Sequence, residues 1–131
     1  MQPLFFEPKK NMNNTEIVLA FIDAWNNMDW DGAAGLLTDD IIWHNIPMAK
    51  VEGKAAVDQA IRGMSPESVD WQVISIAENR NQVLTERIDR FDMSGKKKID
   101  LPVMGTFEIT DGKISAWRDY FDLRTLTSQM S

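Results

Sequence analysis

Three charged residues stand where strand alternation sends apolar side chains. In the run Lys97 to Ile109 the odd positions Ile99, Leu101, Val103, Phe107 and Ile109 are apolar, whereas the even set contains Lys98, Asp100, Thr106 and Glu108. Successive side chains of a strand point to opposite faces, so the odd positions share the buried one. The same parity gathers Thr85, Arg87, Asp89 and Phe91 from Gln82 to Met93, and Ser115, Trp117, Asp119 and Phe121 from Lys113 to Asp122. Two carboxyls and a guanidinium then enter one apolar interior. An unpaired buried carboxylate is costly, so these groups must pair or change protonation state. A single Arg cancels only one of two negative charges, which drives the two acids apart in pKa and equips one site with both an acid and a base. The bland alternatives are a structural ion-pair network, or a bulge that turns the cluster to solvent. Near Ile41 the alternation puts Trp43 and Asn45 on one face, opposite to His44.

Composition removes most other chemistries. The 131 residues contain no Cys and a single His, which excludes disulfides, thiolate metal sites, a Cys nucleophile and a multi-histidine metal centre. No phosphate-binding glycine loop is present, so no cofactor is expected. Asp29-Trp-Asp-Gly32 faintly matches a calcium loop, but the remaining ligands are missing and a helix cap is the better reading. A net charge of −6 disfavours nucleic acid and anionic membrane as partners, because both reward clustered cations. The apolar run Leu4 to Phe6 is far short of a signal or membrane segment, which points to a soluble, cytoplasmic protein. Hydrophobic residues at 44% and charged residues at 26% suit one globular domain spanning 1–131, with 1–13 as a loose N-terminal arm.

Positioning the charged set falls to helices in the first half and strands in the second. Val18, Phe21, Ile22 and Trp25 recur at helical spacing from Thr15 to Asn27, with Asn14 as a candidate N-cap. A short helix is expected from Trp30 to Leu37, capped by Asp29, and another from Gly53 to Met64. Asp39 to Ile46 reads as a strand ending at Pro47. Beyond Pro66, Val69 to Glu78, Gln82 to Met93, Lys97 to Ile109 and Lys113 to Asp122 predict a four-stranded antiparallel meander, with Asp111-Gly112 as a tight hairpin turn. Lys96-Lys97-Lys98 reads as a solvated hairpin end. The fold class is α+β, with helices packed on one side of a curved sheet.

These residues also carry a family resemblance. Ile42-Trp-His-Asn-Ile-Pro47, Thr85-Glu-Arg-Ile-Asp89 and Trp117-Arg-Asp-Tyr-Phe-Asp122 resemble limonene-1,2-epoxide hydrolase, within the nuclear-transport-factor-2-like (SnoaL-like) superfamily, over about Thr15 to Leu126. The resemblance implies a cone-shaped fold, a curved mixed or antiparallel sheet whose N-terminal helices close a deep apolar pocket, and a homodimer formed through the outer sheet face. It implies hydration of a hydrophobic epoxide in one step: Asp119 as base, Asn45 holding the water, Asp89 protonating the epoxide oxygen, and Arg87 bridging the two aspartates. Trp43, Met48, Leu101, Val103, Trp117 and Phe121 are the implied pocket residues, and Thr106 is a weaker candidate because its parity is outward. Where the family usually carries a Tyr that helps hold the water, this chain carries Trp43, a donor without an acceptor.

Two other classes compete. A ketosteroid-isomerase-like or SnoaL-like enzyme would need a Tyr or His in the pocket, yet Tyr120 has outward parity and His44 opposes Trp43 and Asn45. A non-catalytic ligand-binding or dimeric module would keep the pocket without turnover. The complete Arg87, Asp89, Asp119 and Asn45 set favours catalysis.

Overall fold

Helix α1, Asn14–Asn26, buries Ile17, Val18, Phe21, Ile22, Ala24 and Trp25 along one side, the stripe that its three- and four-residue spacing demands. Asn13 rather than Asn14 caps it: the Asn13 side chain accepts from the Glu16 N–H at 2.8 Å, and the Glu16 carboxylate accepts from the Asn13 N–H at 2.9 Å. This reciprocal box satisfies two of the N–H groups that a helix start leaves unpaired. The computed structural model describes residues 12–93 and 98–130. Of the expected arm, residues 1–11 lie outside the described residues, while Met12 packs on the core and Asn13 forms the cap. Lys96 and Lys97 also lie outside them.

Helix α2, Trp30–Gly35, is shorter than predicted. Its Asp29 carboxylate accepts from the Gly32 N–H at 2.9 Å, the cap role favoured over a calcium loop. Leu37 belongs instead to strand β1, Leu37–Ile46, which turns through Pro47 into β2, Lys50–Glu52. Gly53, with φ of +92°, leads into α3, Lys54–Met64. The long strands follow as β3 Ser68–Asn79, β4 Gln82–Asp92, β5 Lys98–Thr110 and β6 Lys113–Tyr120. Asp111 and Gly112 both take positive φ, +51° and +78°, as the tight turn between β5 and β6 requires. A last helix, α4 at Leu123–Met130, has no counterpart in the sequence reading. Asp122, expected in the final strand, accepts from the Thr125 N–H and hydroxyl and starts that helix.

The meander is present, within a larger sheet. Six strands run in the order β2-β1-β6-β5-β4-β3, antiparallel except where β1 lies parallel to β6. That parallel pairing joins the two halves of the chain, setting Trp43 beside Trp117 and Asn45 beside Asp119. The expected inward place of Ser115 is a correction. A register shift at Glu108/Ile109 leaves Ser115 bulged, with its hydroxyl bonded to the Glu108 carbonyl, and Ile114 takes the buried position. Beyond the bulge, Trp117 and Asp119 do face inward.

Two apolar clusters lie on the inner side. One holds Phe21, Trp25, Trp43, Trp71, Phe107 and Trp117 with their aliphatic neighbours, and the other holds Ile99, Leu101 and Val103 with Phe91, Phe121 and Leu126 against them. Members of both line one cavity, so the candidate site opens where they meet. Among the described residues, no helix is long and apolar enough to cross a membrane.

Candidate active site

Arg87 is fully buried at the centre of β4 and uses all three guanidinium nitrogens. Its Nε donates to Asp89 Oδ1 at 2.9 Å and its Nη1 to Thr85 Oγ1 at 3.0 Å. Nη2 donates to Asp89 Oδ2 at 2.8 Å and to Asp119 Oδ2 at 2.9 Å. Residues 85, 87 and 89 share a strand face, which makes the β4 part of this cluster local, while Asp119 arrives from β6 across β5. The Thr85 hydroxyl in turn donates a hydrogen bond to the Gly105 carbonyl at 3.0 Å. The guanidinium carbon sits 5.0 Å from the Trp71 ring centre and 5.9 Å from that of Phe107, a setting in which aromatic faces also stabilise the cation.

Asp119 is fixed from both sides. Its Oδ1 accepts from the Trp117 indole Nε1 at 2.9 Å, and its Oδ2 accepts from Arg87. Burial pushes the Asp89 carboxyl up to about 6, against the hydrogen bonds and charge of Arg87, and the Asp119 charge adds to the rise. Burial works against the Arg87 cation, but the Asp119 charge and the Asp89 hydrogen bonds outweigh it, and Arg87 is held protonated more firmly than an ordinary arginine. One cation between two carboxyls therefore leaves a site able to keep one proton.

The cavity beside Asp119 has a volume of about 80 Å³. Trp43, Asn45, Leu101, Val103, Trp117 and Phe121, all named from the sequence, line it. It continues outward into a chamber of about 330 Å³, where Met48 joins Trp43, Asn45 and Phe121. Arg87 and Asp89, bonded to one another beside Asp119, are not among the residues lining this cavity; the Asp89 side chain keeps 7% exposure, that of Arg87 none. Trp43 lies flat on Trp117, with ring centres 4.7 Å apart and planes 8° from parallel, and its own buried Nε1 has no partner among the described residues. Thr106 lines an outer-face hollow with the exposed Tyr120, and His44 bonds the Met48 carbonyl at 2.9 Å. No Tyr or His from the described residues lines the inner cavity, which removes the donor that an isomerase or dehydratase reading requires.

The sequence profile of the limonene-1,2-epoxide hydrolase catalytic domain matches residues 12–131. The chain belongs to the limonene-1,2-epoxide hydrolase family. It is 33% identical over 107 residues to the epoxide hydrolase EphG of Mycobacterium tuberculosis, covering 81% of this chain and 71% of that protein. The structure of an M. tuberculosis LEH-like epoxide hydrolase superposes with a TM-score of 0.80 at 30% identity, over 89% of this chain and 91% of that one. An NTF2-like protein from Cytophaga hutchinsonii, at 25% identity and a TM-score of 0.74 over 89% of this chain and 96% of that one, shares the fold. The nuclear-transport-factor-2-like architecture is thus established for this member of the limonene-1,2-epoxide hydrolase family.

Gly105 is a site residue that the sequence reading missed. It sits opposite Thr85 on β4 and Asp119 on β6, and a Cβ there would overlap Arg87 Nη1 and Asp119 Oδ1. The available signal was a glycine inside a strand, at an inward position among large apolar residues, which marks the close approach of another group.

Proposed function

We propose that this chain adds water to a hydrophobic epoxide in one acid–base step, with no cofactor and no covalent intermediate. The observation that carries the reading is a single guanidinium nitrogen, Arg87 Nη2, held by carboxyl oxygens of both Asp89 and Asp119 at the inner end of an apolar cavity. Asp119, in the lining and directed by Trp117 and Arg87, takes a proton from water. The water oxygen bonds to an oxirane carbon as the C–O bond on the far side of that same carbon breaks, and Asp89 gives its proton to the departing oxygen. The product is a vicinal diol, and the proton gained by Asp119 replaces the one lost by Asp89 before the next turnover. Asn45 shares the cavity with Asp119 and carries the acceptor and donor needed to orient the water, and the unpaired Trp43 indole N–H adds one donor. A concerted step suits a dry pocket, where both proton transfers are prearranged.

The reading extends to a homodimer built on the outer sheet face. Leu84, Met104 and Tyr120 lie exposed there around a hollow of about 340 Å³, the kind of apolar patch that marks a protein interface. Met104→Lys should shift sedimentation toward the monomer; an unchanged oligomeric state in that variant would remove the assignment.

Turnover of an epoxide panel in heavy-oxygen water tests the chemistry. The expected product is a diol carrying one labelled oxygen, formed as fast after exhaustive treatment with chelator as before. Absence of diol from every epoxide would hand the site to the ligand-binding alternative.

A further inference from the structure

We propose that the preferred substrate carries its epoxide at a slim, acyclic end with an apolar tail, and that Trp43 is the side chain that turns ring-fused epoxides away. The inference deepens the hydrolase reading above and rests on it.

The cavity is two chambers of unequal size. The inner one, about 80 Å³, has Asp119 in its wall; the outer one, about 330 Å³, does not. Trp43, Asn45, Met64, Phe121 and Leu126 line both, so they form the neck through which a substrate reaches the carboxylate. The inner chamber is about half the size of the ~150 Å³ apolar cavity that admits a benzene ring, so it suits an oxirane with little attached rather than one fused to a six-membered ring. The outer chamber falls within the usual range for a small-molecule site, and Met48, Ala49, Val51 and Ala60 make its remaining wall apolar. The reacting end of the substrate must therefore be narrow, while its bulk belongs outside the neck.

Substitution pattern at the oxirane then decides which epoxides fit. A terminal epoxide leaves one ring carbon bare and sends its single chain outward. A ring-fused epoxide places carbon on both oxirane carbons and fixes them side by side, which needs width beside Asp119. Trp43 denies that width and has little freedom to give way. It stacks on Trp117 at 4.7 Å, and Trp117 is in turn bonded to Asp119 at 2.9 Å. Only 6% of Trp43 is exposed. Rotating the ring out would break a buried aromatic stack.

The test compares kcat/KM for two six-carbon substrates, 1,2-epoxyhexane and cyclohexene oxide, on the parent and on Trp43→Leu. The parent should favour the acyclic epoxide by about tenfold or more, within the discrimination a shaped apolar pocket can give. Trp43→Leu should narrow that ratio by raising the value for cyclohexene oxide. Ala60→Leu supplies a second arm in the outer chamber, away from the stacked indoles: it should lower kcat/KM for 1,2-epoxyoctane more than for 1,2-epoxybutane. Cyclohexene oxide hydrated by the parent as well as, or better than, 1,2-epoxyhexane overturns the substrate class, whether or not Trp43→Leu folds. A folded Trp43→Leu with an unchanged ratio overturns the role of Trp43, and an equal loss for both chain lengths in Ala60→Leu overturns the tail chamber. If the parent hydrates none of the four epoxides, the failure belongs to the hydrolase reading, and the substrate class falls with it.

Discussion

The two faces of strands β4, β5 and β6 mostly keep the rule of apolar inside and charged outside, and each breaks it with a few residues. Inward lie Arg87, Asp89 and Asp119, all buried, with Arg87 against the Trp71 and Phe107 rings and Asp119 bonded to the Trp117 indole, whereas outward lie Leu84 and Met104, 41% and 53% exposed. Both faces also hold an Arg–carboxylate pair of similar length: Arg87–Asp119 at 2.9 Å inside and Arg118–Glu108 at 2.7 Å outside. Distance alone would rank them equal. The outer pair remains partly in water, where such a bond contributes about 0–1 kcal/mol. The inner pair has no water to fall back on, so removing one partner strands a buried charge and costs about 3–5 kcal/mol. Under the proposed function, these exceptions mark two roles on one sheet, chemistry on the inner face and association on the outer.

Breaking the inner face at its reacting atoms should give the largest effect. Asp119→Asn and Asp89→Asn each remove one end of the coupled proton transfer and should lower kcat by about 10² to 10⁴. Circular dichroism should show both variants folded, since an amide keeps the shape of the carboxyl. Glu108→Gln on the outer face should hydrate epoxides at the parent rate, and parent-like rates in all three variants would refute the assigned roles. Next comes the cation. Arg87→Ala should destabilise the fold by about 3–5 kcal/mol in urea titration, against about 0–1 for Arg118→Ala. Arg87→Lys keeps the charge but loses the planar fork that reaches Thr85 and both carboxyls, and its turnover should fall sharply.

A pH series sharpens the same contrast. Asp89 rises from an ordinary 3.8 to about 6 in the folded chain, so the native state holds its proton more tightly than the unfolded one. Its contribution to stability is full below the unfolded value, declines as pH rises through about 6, and is flat above. Asp92, at the solvent-exposed end of β4, slopes the other way: the Ser68 hydroxyl holds it below the ordinary range, so its contribution is lost as pH falls. Urea midpoints between pH 4 and 7 should fall for the parent and flatten for Asp89→Asn. If Asp89 is the acid, kcat/KM should also decline above about pH 6.

The inner charges were readable from sequence because alternation has a period of two, and an acid among large apolar residues breaks that pattern conspicuously. Arg87, Asp89 and Asp119 stand on strands whose parity survives from the site to the nearest turn or bulge. Ser115 shows the limit: one bulged residue moved it out of line while leaving Asp119, four residues on, in place. Two elements went unread for different reasons. Strand β2 has only three residues, too few for alternation to show, whereas α4 repeats Leu123, Leu126 and Met130 at helical spacing, a signal too short to stand out beside the strand before it. The parallel pairing of β1 with β6 joins segments some seventy residues apart, and no local preference encodes it. The stacking of Trp43 on Trp117, and the narrow neck it makes, follows from that pairing. Gly105 was hidden for a different reason: its role is an absence of atoms.

That absence can be tested with one methyl group placed at two sites. Gly35, at the end of α2, has open space where a Cβ would stand, and alanine there replaces a poorer helix former. Gly105→Ala instead drives its methyl into Arg87 Nη1 and Asp119 Oδ1, with Thr85 Oγ1 at 3.3 Å on the remaining side. None of the three can yield freely, because Arg87 is tied to Asp89 and Thr85, and Asp119 to Trp117. Overpacking of this kind costs about 1–3 kcal/mol, whereas Gly35→Ala should be neutral or stabilising by a few tenths of a kcal/mol up to about 1. Displacing Asp119 by a fraction of an ångström also misaligns the base, so kcat should fall by up to about 10² while KM changes little. Parallel urea titrations and steady-state rates on both variants check this. A Gly105→Ala protein with the stability and kcat of the parent would mean that the carboxyl cluster adjusts without loss, and the claim that its geometry is rigidly set would fail.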